Sequence, residues 1–295
     1  MFFLSPSHVP PTITPSFGLN HSHPNPFPMN PITPETVLLT GASSGIGLEL
    51  ARCFAADGSR LVLLARNTGA LEKLATELRE KFSIEVRVLT ADLAEPGCAQ
   101  KIFSELQTAG VTVDVLVNNA GFGAHGDFAA TSQARQSEMV QVNVTALQEL
   151  TGLFLPGMLA RGRGGVLNVA STAAFQPGPR MAVYYATKAF VVSFTEALAE
   201  ETRGTGVTVT ALCPGPTRTN FGNVANFRGS DGVLRAAMTA AAVAREGHAA
   251  FRKGRVLFIN GWQNFIPMFL LRFFPRLVVR KVVKRLIAVR KPVRE

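Results

Sequence analysis

The chain has 295 residues, 47% of them hydrophobic and 17% charged, with a formal net charge of +10. That apolar fraction is enough for a packed core and excludes wholesale disorder, and the length allows one large domain or two small ones. Three scattered cysteines, Cys53, Cys98 and Cys213, exclude a disulfide scaffold and fit a reducing compartment, and no apolar run is long enough for a simple transmembrane helix.

In chain order, residues 1–34 come first as a leader with nine of the 18 prolines and no charged residue. Such a segment cannot continue a helix or a sheet ladder. It lacks the basic and apolar regions of a secretory signal and the arginines of a transit peptide. His21 and His23 within it are expected to be solvated, and no metal site is expected. Met29 offers a second translation start shortly before the first strand. Residues 37–40 are a short apolar run ending in a Gly-rich turn, and residues 46–57 follow with helical spacing, Ile46, Leu50, Cys53 and Phe54 sharing a face. A second strand is predicted over 61–65, then a helix carrying Leu71, Leu74 and Leu78. Further strands are predicted over 86–90, 113–117, 166–169, 207–212 and 256–259, with long helices near 134–160 and 182–203. Apolar strands without polar alternation, separated by helices, predict an α/β, doubly wound Rossmann fold: a seven-stranded, mainly parallel sheet with helices on both faces, over residues 35–261.

The tail, 262–295, is set apart by composition. From Arg272 onward nine basic residues and one acid carry eight of the ten net positive charges, so the body is nearly neutral. Residues 262–274 are rich in large apolar side chains. Beyond Pro275, Val278, Val279, Val282, Val283 and Leu286 share one helical face and Arg276, Arg280, Lys281, Lys284 and Arg285 the other. A basic amphipathic helix of this kind suits in-plane attachment to an anionic membrane, or docking of the apolar face on the body or a sister subunit. Attraction to nucleic-acid phosphates is a third reading, but no base-reading motif accompanies it, and nucleic acid is not expected as a partner.

The chemistry is concentrated in motifs at the strand ends. Thr40-Gly41-Ala42-Ser43-Ser44-Gly45-Ile46-Gly47 is a strand-to-helix turn, where glycines permit a sharp turn and close approach of a pyrophosphate to a helix N-terminus. By itself it points only to a nucleotide. Together with Asn118-Asn119-Ala120-Gly121, Asn143, Ser171, Tyr184-x-x-x-Lys188 and Pro214-Gly215, it resembles the short-chain dehydrogenase/reductase family, and these motifs stand in the family's order over residues 35–260.

Tyr184 is then the expected general acid/base. A tyrosine normally loses its proton near pH ~10, and Lys188, four residues on and on the same helix face, is expected to favour the phenolate. Ser171 would hydrogen-bond the same substrate oxygen. The resemblance implies that Lys188 also holds the nicotinamide ribose and that Asn143 anchors a water in a proton relay. Tyr185 is the rival of Tyr184, and Thr172 of Ser171; spacing and pattern favour Tyr184 and Ser171.

Cofactor choice rests on the end of the second strand, where an acid would bind a ribose 2′-hydroxyl and repel a 2′-phosphate. This chain has Ala65 followed by Arg66, a guanidinium suited to phosphate oxygens. NADP(H) is therefore expected, held by Gly41, Ser43, Ser44, Gly45, Ile46, Gly47, Arg66, Asp92, Leu93, Asn119, Ala120, Gly121, Tyr184, Lys188, Pro214, Gly215 and Thr217; the resemblance implies that Asp92 lies near the adenine and Pro214-Gly215 beside the nicotinamide. The substrate pocket is expected from Phe122 to Gly126 (with His125 facing solvent), from Phe175-Gln176-Pro177, and from a lid over 216–235 with Phe221 and Phe227. The resulting reading is an NADP(H)-dependent carbonyl reductase or alcohol dehydrogenase acting on a hydrophobic carbonyl or alcohol. The alternative is a cofactor-sensing interaction protein or membrane-surface protein with incidental turnover. The resemblance implies a homodimer or homotetramer through the helices bearing Asn143 and Tyr184. The location expected is cytoplasmic, peripheral at the inner membrane face if the tail binds lipid.

Overall fold

The computed structural model describes residues 34–225 and 237–287. The leader with Met29, His21 and His23, the loop residue Phe227, and the last eight residues lie outside that range. Seven strands form one sheet: β1 (Thr36–Thr40), β2 (Arg60–Ala65), β3 (Val86–Thr90), β4 (Val115–Asn118), β5 (Gly164–Val169), β6 (Val207–Cys213) and β7 (Leu257–Ile259). Their order is β3-β2-β1-β4-β5-β6-β7 and every pairing is parallel. The strand order reverses between β1 and β4, which opens a crevice at their C-terminal ends.

Alternation along the strands builds a core on each face. Val37 and Leu39 point into one layer and Leu38 into the other. On the first face lie α1 (Gly45–Ala56), α2 (Thr68–Phe82) and α7 (Ala240–Arg252), contributing Leu50, Phe54, Leu71, Leu74, Leu78 and Val243. On the second lie α3 (Cys98–Thr108), α4 (Gln133–Val140), α5 (Ala146–Arg161) and α6 (Ala182–Glu201), with Ile102, Leu106, Met139, Leu150 and Phe154 against the sheet. The strand interiors are buried on both sides, which is why they read as apolar runs without alternation.

The side-chain amides of the two asparagines inside this sheet are hydrogen-bonded. Asn118 Nδ2 donates to Asn168 Oδ1 at 2.9 Å and to Thr151 Oγ1 at 3.0 Å, and Asn168 Nδ2 donates to Thr195 Oγ1 at 3.0 Å. Both asparagines are buried, so this ladder from β4 through β5 into α5 and α6 is what makes their burial tolerable. At the opposite end of the sheet Arg252 meets Glu35 and Asp57, and His248 Nε2 lies 2.9 Å from Asp57 Oδ2, tying α7 to the entry of β1 and the end of α1.

The long helix predicted near 134–160 is broken. A π-helical turn, Gln141–Thr145, separates α4 from α5 and contains Asn143. Wide turns of this kind collect at functional sites because they re-aim a residue without ending the helix. Beyond β7 come α8 (Trp262–Leu270) and α9 (Arg276–Ile287). Among the described residues no helix is long and apolar enough to cross a membrane.

Candidate active site

A cleft of about 540 Å³ runs along the C-terminal ends of the strands. Each strand from β1 to β6 delivers one part of it. After β1 come Gly41, Ser43, Ser44, Gly45 and Ile46; after β2, Arg66; after β3, Asp92 and Leu93; after β4, Asn119, Ala120 and Gly121; after β5, Ser171; after β6, Pro214, Gly215 and Thr217. Tyr184 and Lys188 reach the same cleft from α6.

The first turn is held by its neighbours. Thr40 Oγ1 donates to Val117 O and accepts from the N–H groups of Asn119 and Ala120 at 3.0 Å each. Asn119 Nδ2 donates to Thr40 O at 3.0 Å and Gly41 O at 3.1 Å. Gly41 has φ +66°, and a Cβ there would stand 2.9 Å from Ala120 Cα, so glycine is required on both counts. Ser44 caps α1 without a side-chain hydrogen bond, and no acid occupies the first turn, which leaves the helix N-terminus electropositive toward the cleft. Gly47 departs from expectation. It does not line the cleft; it is buried where a Cβ would stand 2.3 Å from Gly41 O, so its role is to let α1 pack onto the turn.

Arg66 Nη1 lies 3.7 Å from Asp92 Oδ2 and 3.8 Å from Glu138 Oε1, with the side chain mostly exposed. Asp92 Oδ1 accepts from Ala94 N at 3.0 Å. Glu138, which also pairs with Arg135 at 2.9 Å and lines the cleft, was missed by sequence reasoning because an acid on an amphipathic helix carries no signal of its own.

Ser171, Tyr184 and Lys188 converge at the other end. The Ser171 side chain hydrogen-bonds Tyr184 and accepts from Ala173 N at 3.1 Å, which fixes its hydroxyl. Tyr184 is buried against the ring of Phe221, with centroids 5.2 Å apart. The expectation that Lys188 pulls Tyr184 toward the phenolate is not met. Burial pushes the phenol up to about 12, the Ser171 hydrogen bond opposes it, and Tyr185 adds to the rise. Lys188 is itself buried, which draws its ammonium down to about 8; Nζ donates to Val169 O at 2.7 Å and stands 6.0 Å from the Tyr184 ring centroid, over the ring. Desolvation of the phenolate is the largest influence on Tyr184. The Tyr184 phenol is thus held in its protonated form at neutral pH.

Asn143 lies just behind the cleft rather than in its wall. Its Oδ1 accepts from Phe122 N at 3.1 Å, and its Nδ2 donates to Phe122 O at 2.9 Å and Thr187 Oγ1 at 3.1 Å. Thr187 Oγ1 in turn donates to Tyr184 O at 2.7 Å. The amide thus clamps the segment after Gly121 to the helix that carries Tyr184, and Thr187 is a second link that spacing alone did not reveal.

The apolar part of the cleft is lined by Phe122, Val142, Met181, Tyr185, Phe221 and Val224. Phe175, Gln176 and Pro177 stay outside its wall, and His125 is half-buried, not solvent-facing, with its N–H on Ala225 O at 2.9 Å. Tyr185 lines the cleft and also packs against the tail, as described below. The residues present fit a dinucleotide: a glycine cradle that a Cβ would fill, an open helix N-terminus, and a guanidinium at the end of β2.

Comparison with known proteins agrees with this arrangement. The profile of the short chain dehydrogenase family matches residues 35–227. The human very-long-chain 3-oxoacyl-CoA reductase is 33% identical over 184 residues, covering 61% of this chain and 58% of that protein. The chain therefore spans about three-fifths of the length of this curated relative. A short-chain dehydrogenase from Sphingobium yanoikuyae in complex with NADPH superposes with TM-score 0.74 at 30% identity, over 88% of this chain and 98% of that one. A short chain dehydrogenase/reductase from Burkholderia phymatum in complex with NAD gives TM-score 0.71 at 27% identity, over 80% and 92%.

Proposed function

Since the chain belongs to the short-chain dehydrogenase/reductase family, we propose that it is an NADP(H)-dependent oxidoreductase that reduces the ketone of an apolar substrate to an alcohol, or runs the reverse. The observation that carries this reading is the shared cleft, in which the Ser171–Tyr184–Lys188 group stands at one end and Arg66 at the other, joined by the Gly-rich turn. When bound, the nicotinamide supplies or accepts a hydride.

The chain's own residues do the rest. Tyr184 and Ser171 hydrogen-bond the carbonyl oxygen; Tyr184, neutral at pH 7, gives it a proton as charge develops there, and Ser171 stabilises that charge. Lys188 holds the ribose hydroxyls and lends positive charge near the phenol. The Asn143 side chain is spent on Phe122 and Thr187, so any part it takes in a proton relay falls to its main chain, in the widened π turn. Phe122, Met181, Tyr185 and Phe221 favour an apolar acyl or cyclic ketone, and the relation to 3-oxoacyl-CoA reductase favours the acyl kind. Free thiols at Cys53, Cys98 and Cys213 suit a reducing, cytoplasmic setting. The exposed Leu159 on α5 and Phe190 on α6, the latter stacked on Phe194 at 5.5 Å, support a homo-oligomer through those helices.

Titration with NADPH and with NADH tests the cofactor assignment. NADPH is expected to bind at least tenfold more tightly. Arg66→Asp removes charge-assisted hydrogen bonds of about 1.5–3 kcal/mol and sets a third carboxylate beside Asp92 and Glu138, so NADPH affinity falls about 10–100-fold while NADH is little affected. Equal loss for both cofactors would remove the 2′-phosphate assignment.

A pH profile separates the two titrating groups. Lys188, drawn down to about 8, is charged below that pH and neutral above it, whereas Tyr184, near 12, stays protonated throughout the working range. The kcat/KM for NADPH, which reports the free enzyme, is expected to be flat from pH ~6 to ~7 and to fall above about 8. A profile flat to pH ~10 would contradict the assignment to Lys188.

A further inference from the structure

The tail carries an amphipathic pattern turned inside out. In α8, Trp262, Phe265, Ile266, Phe269 and Leu270 repeat at the spacing that normally marks a buried stripe, yet all five are exposed, Trp262 by 75%. The opposite face holds Asn264, which sits over Gly215 of the cleft and donates to Asn260 O at 2.7 Å. α9 repeats the theme. Val279 and Val283 are buried against Tyr185 and Leu271, while Val278 and Val282, beside them on the same apolar face, stay open with Leu277. Docking on the body thus uses only half of the face that the sequence presents.

The exposed apolar groups are concentrated here. Of fifteen large hydrophobic side chains exposed among the described residues, ten lie between Trp262 and Val282. Phe265 and Phe269 stack at 6.1 Å, and Phe269 meets Phe273 edge-on at 5.7 Å, so the aromatics form one continuous surface. A patch of this kind marks an interaction site rather than ordinary surface scatter. Charge identifies the occupant. Arg272, Arg276, Arg280, Lys281, Lys284 and Arg285 border the patch, all exposed and none in an ion pair among the described residues. No Asp or Glu occurs from residue 247 to 294. A second copy would bring the same uncompensated cations face to face, whereas an anionic bilayer neutralises them while taking the aromatics into its interface.

We propose that α8, the turn after it and α9 form a docking surface for anionic lipid bilayers, held against the cleft through Asn264 on Gly215 and through Val279 and Val283 on Tyr185. The proposal stands on the tail alone and does not depend on the reaction assigned above. Attachment is in-plane, with Trp262 and the phenylalanines at headgroup depth and the basic side chains on the phosphates.

Trp262, the sole tryptophan, reports this directly. The full-length protein is titrated with vesicles of equimolar phosphatidylcholine and phosphatidylglycerol, and separately with phosphatidylcholine alone, while its emission is followed. The expected result is a blue shift and quenching by brominated acyl chains, with affinity at least tenfold higher for the anionic vesicles. Each basic residue near an anionic leaflet strengthens attachment about fivefold, so the exposed triple variant Arg276→Glu, Arg280→Glu, Lys284→Glu should lower it by at least a hundredfold, with unchanged circular dichroism. Emission that ignores both kinds of vesicle overturns the proposal. So does an equal response to both, which would mean apolar adhesion without charge. A shift that appears without lipid as protein concentration rises would assign the patch to a second copy instead.

Discussion

Replacing Tyr184 by phenylalanine is expected to lower kcat for carbonyl reduction by about 10²–10⁴-fold, equivalent to about 3–5 kcal/mol of transition-state stabilisation. The ring fills the same buried space against Phe221, and only the hydroxyl and its bond to Ser171 are lost. Thermal stability should therefore stay within about 1 kcal/mol, and NADPH affinity within about twofold, because Lys188 and the Gly-rich turn are untouched. Single-turnover kinetics with a ketone substrate, beside a cofactor titration, separates these effects. Tyr185→Phe is the control: it keeps the ring that lines the cleft and packs against Val279 and Val283, and turnover should hold. If Tyr185→Phe instead abolished turnover and Tyr184→Phe did not, the proton donor would be misassigned.

Gly47→Ala should be the most damaging small substitution in the cofactor half. Its Cβ would lie 2.3 Å from Gly41 O and from Asn119 Nδ2, and neither the backbone carbonyl nor the clamped amide can give way cheaply. Relief requires α1 to move off the turn, at about 3 kcal/mol, a fall in Tm of about 6–12 °C for a domain of this size. The same movement displaces the N-terminus of α1 from the phosphates, so NADPH affinity should drop by more than a hundredfold. Gly58→Ala is the matched comparison. It has φ +81° but open space around it, so it should cost only about 1 kcal/mol in urea unfolding and leave cofactor binding intact. Full affinity in Gly47→Ala would show that the turn does not depend on this contact.

The fold and the gathering of Ser171, Tyr184 and Lys188 at one cleft were legible because their signals are local. Apolar strand runs, a Gly-rich turn and a tyrosine four residues before a lysine each need only a few consecutive positions. What escaped was set by distance in the chain. Asn143 reads as one polar residue on a long helix; the π turn that contains it accompanies bonds of its amide to Phe122, 21 positions away. Gly47 reads as part of the nucleotide cradle, but whether it faces ligand or backbone depends on how α1 lies on the turn at Gly41 and on Asn119. The sign of the Tyr184 shift was missed because spacing shows the neighbouring charge and not the depth of burial. Composition likewise marked residues 262–274 as apolar but left open whether they face a membrane or the body, since an apolar stripe that faces outward and one that faces inward have the same period.

The clamp between Thr40 and Asn119 joins residues 79 positions apart. The cradle exists only once β4 has come back beside β1, a non-local pairing that closes a long stretch of chain. A nucleotide that recognises the cradle thus selects chains that have closed this loop and ignores partly folded ones. At a hundred times its dissociation constant it would add about 2.7 kcal/mol to their stability. A chain that binds its cofactor this way would resist proteolysis in proportion to the cofactor supplied.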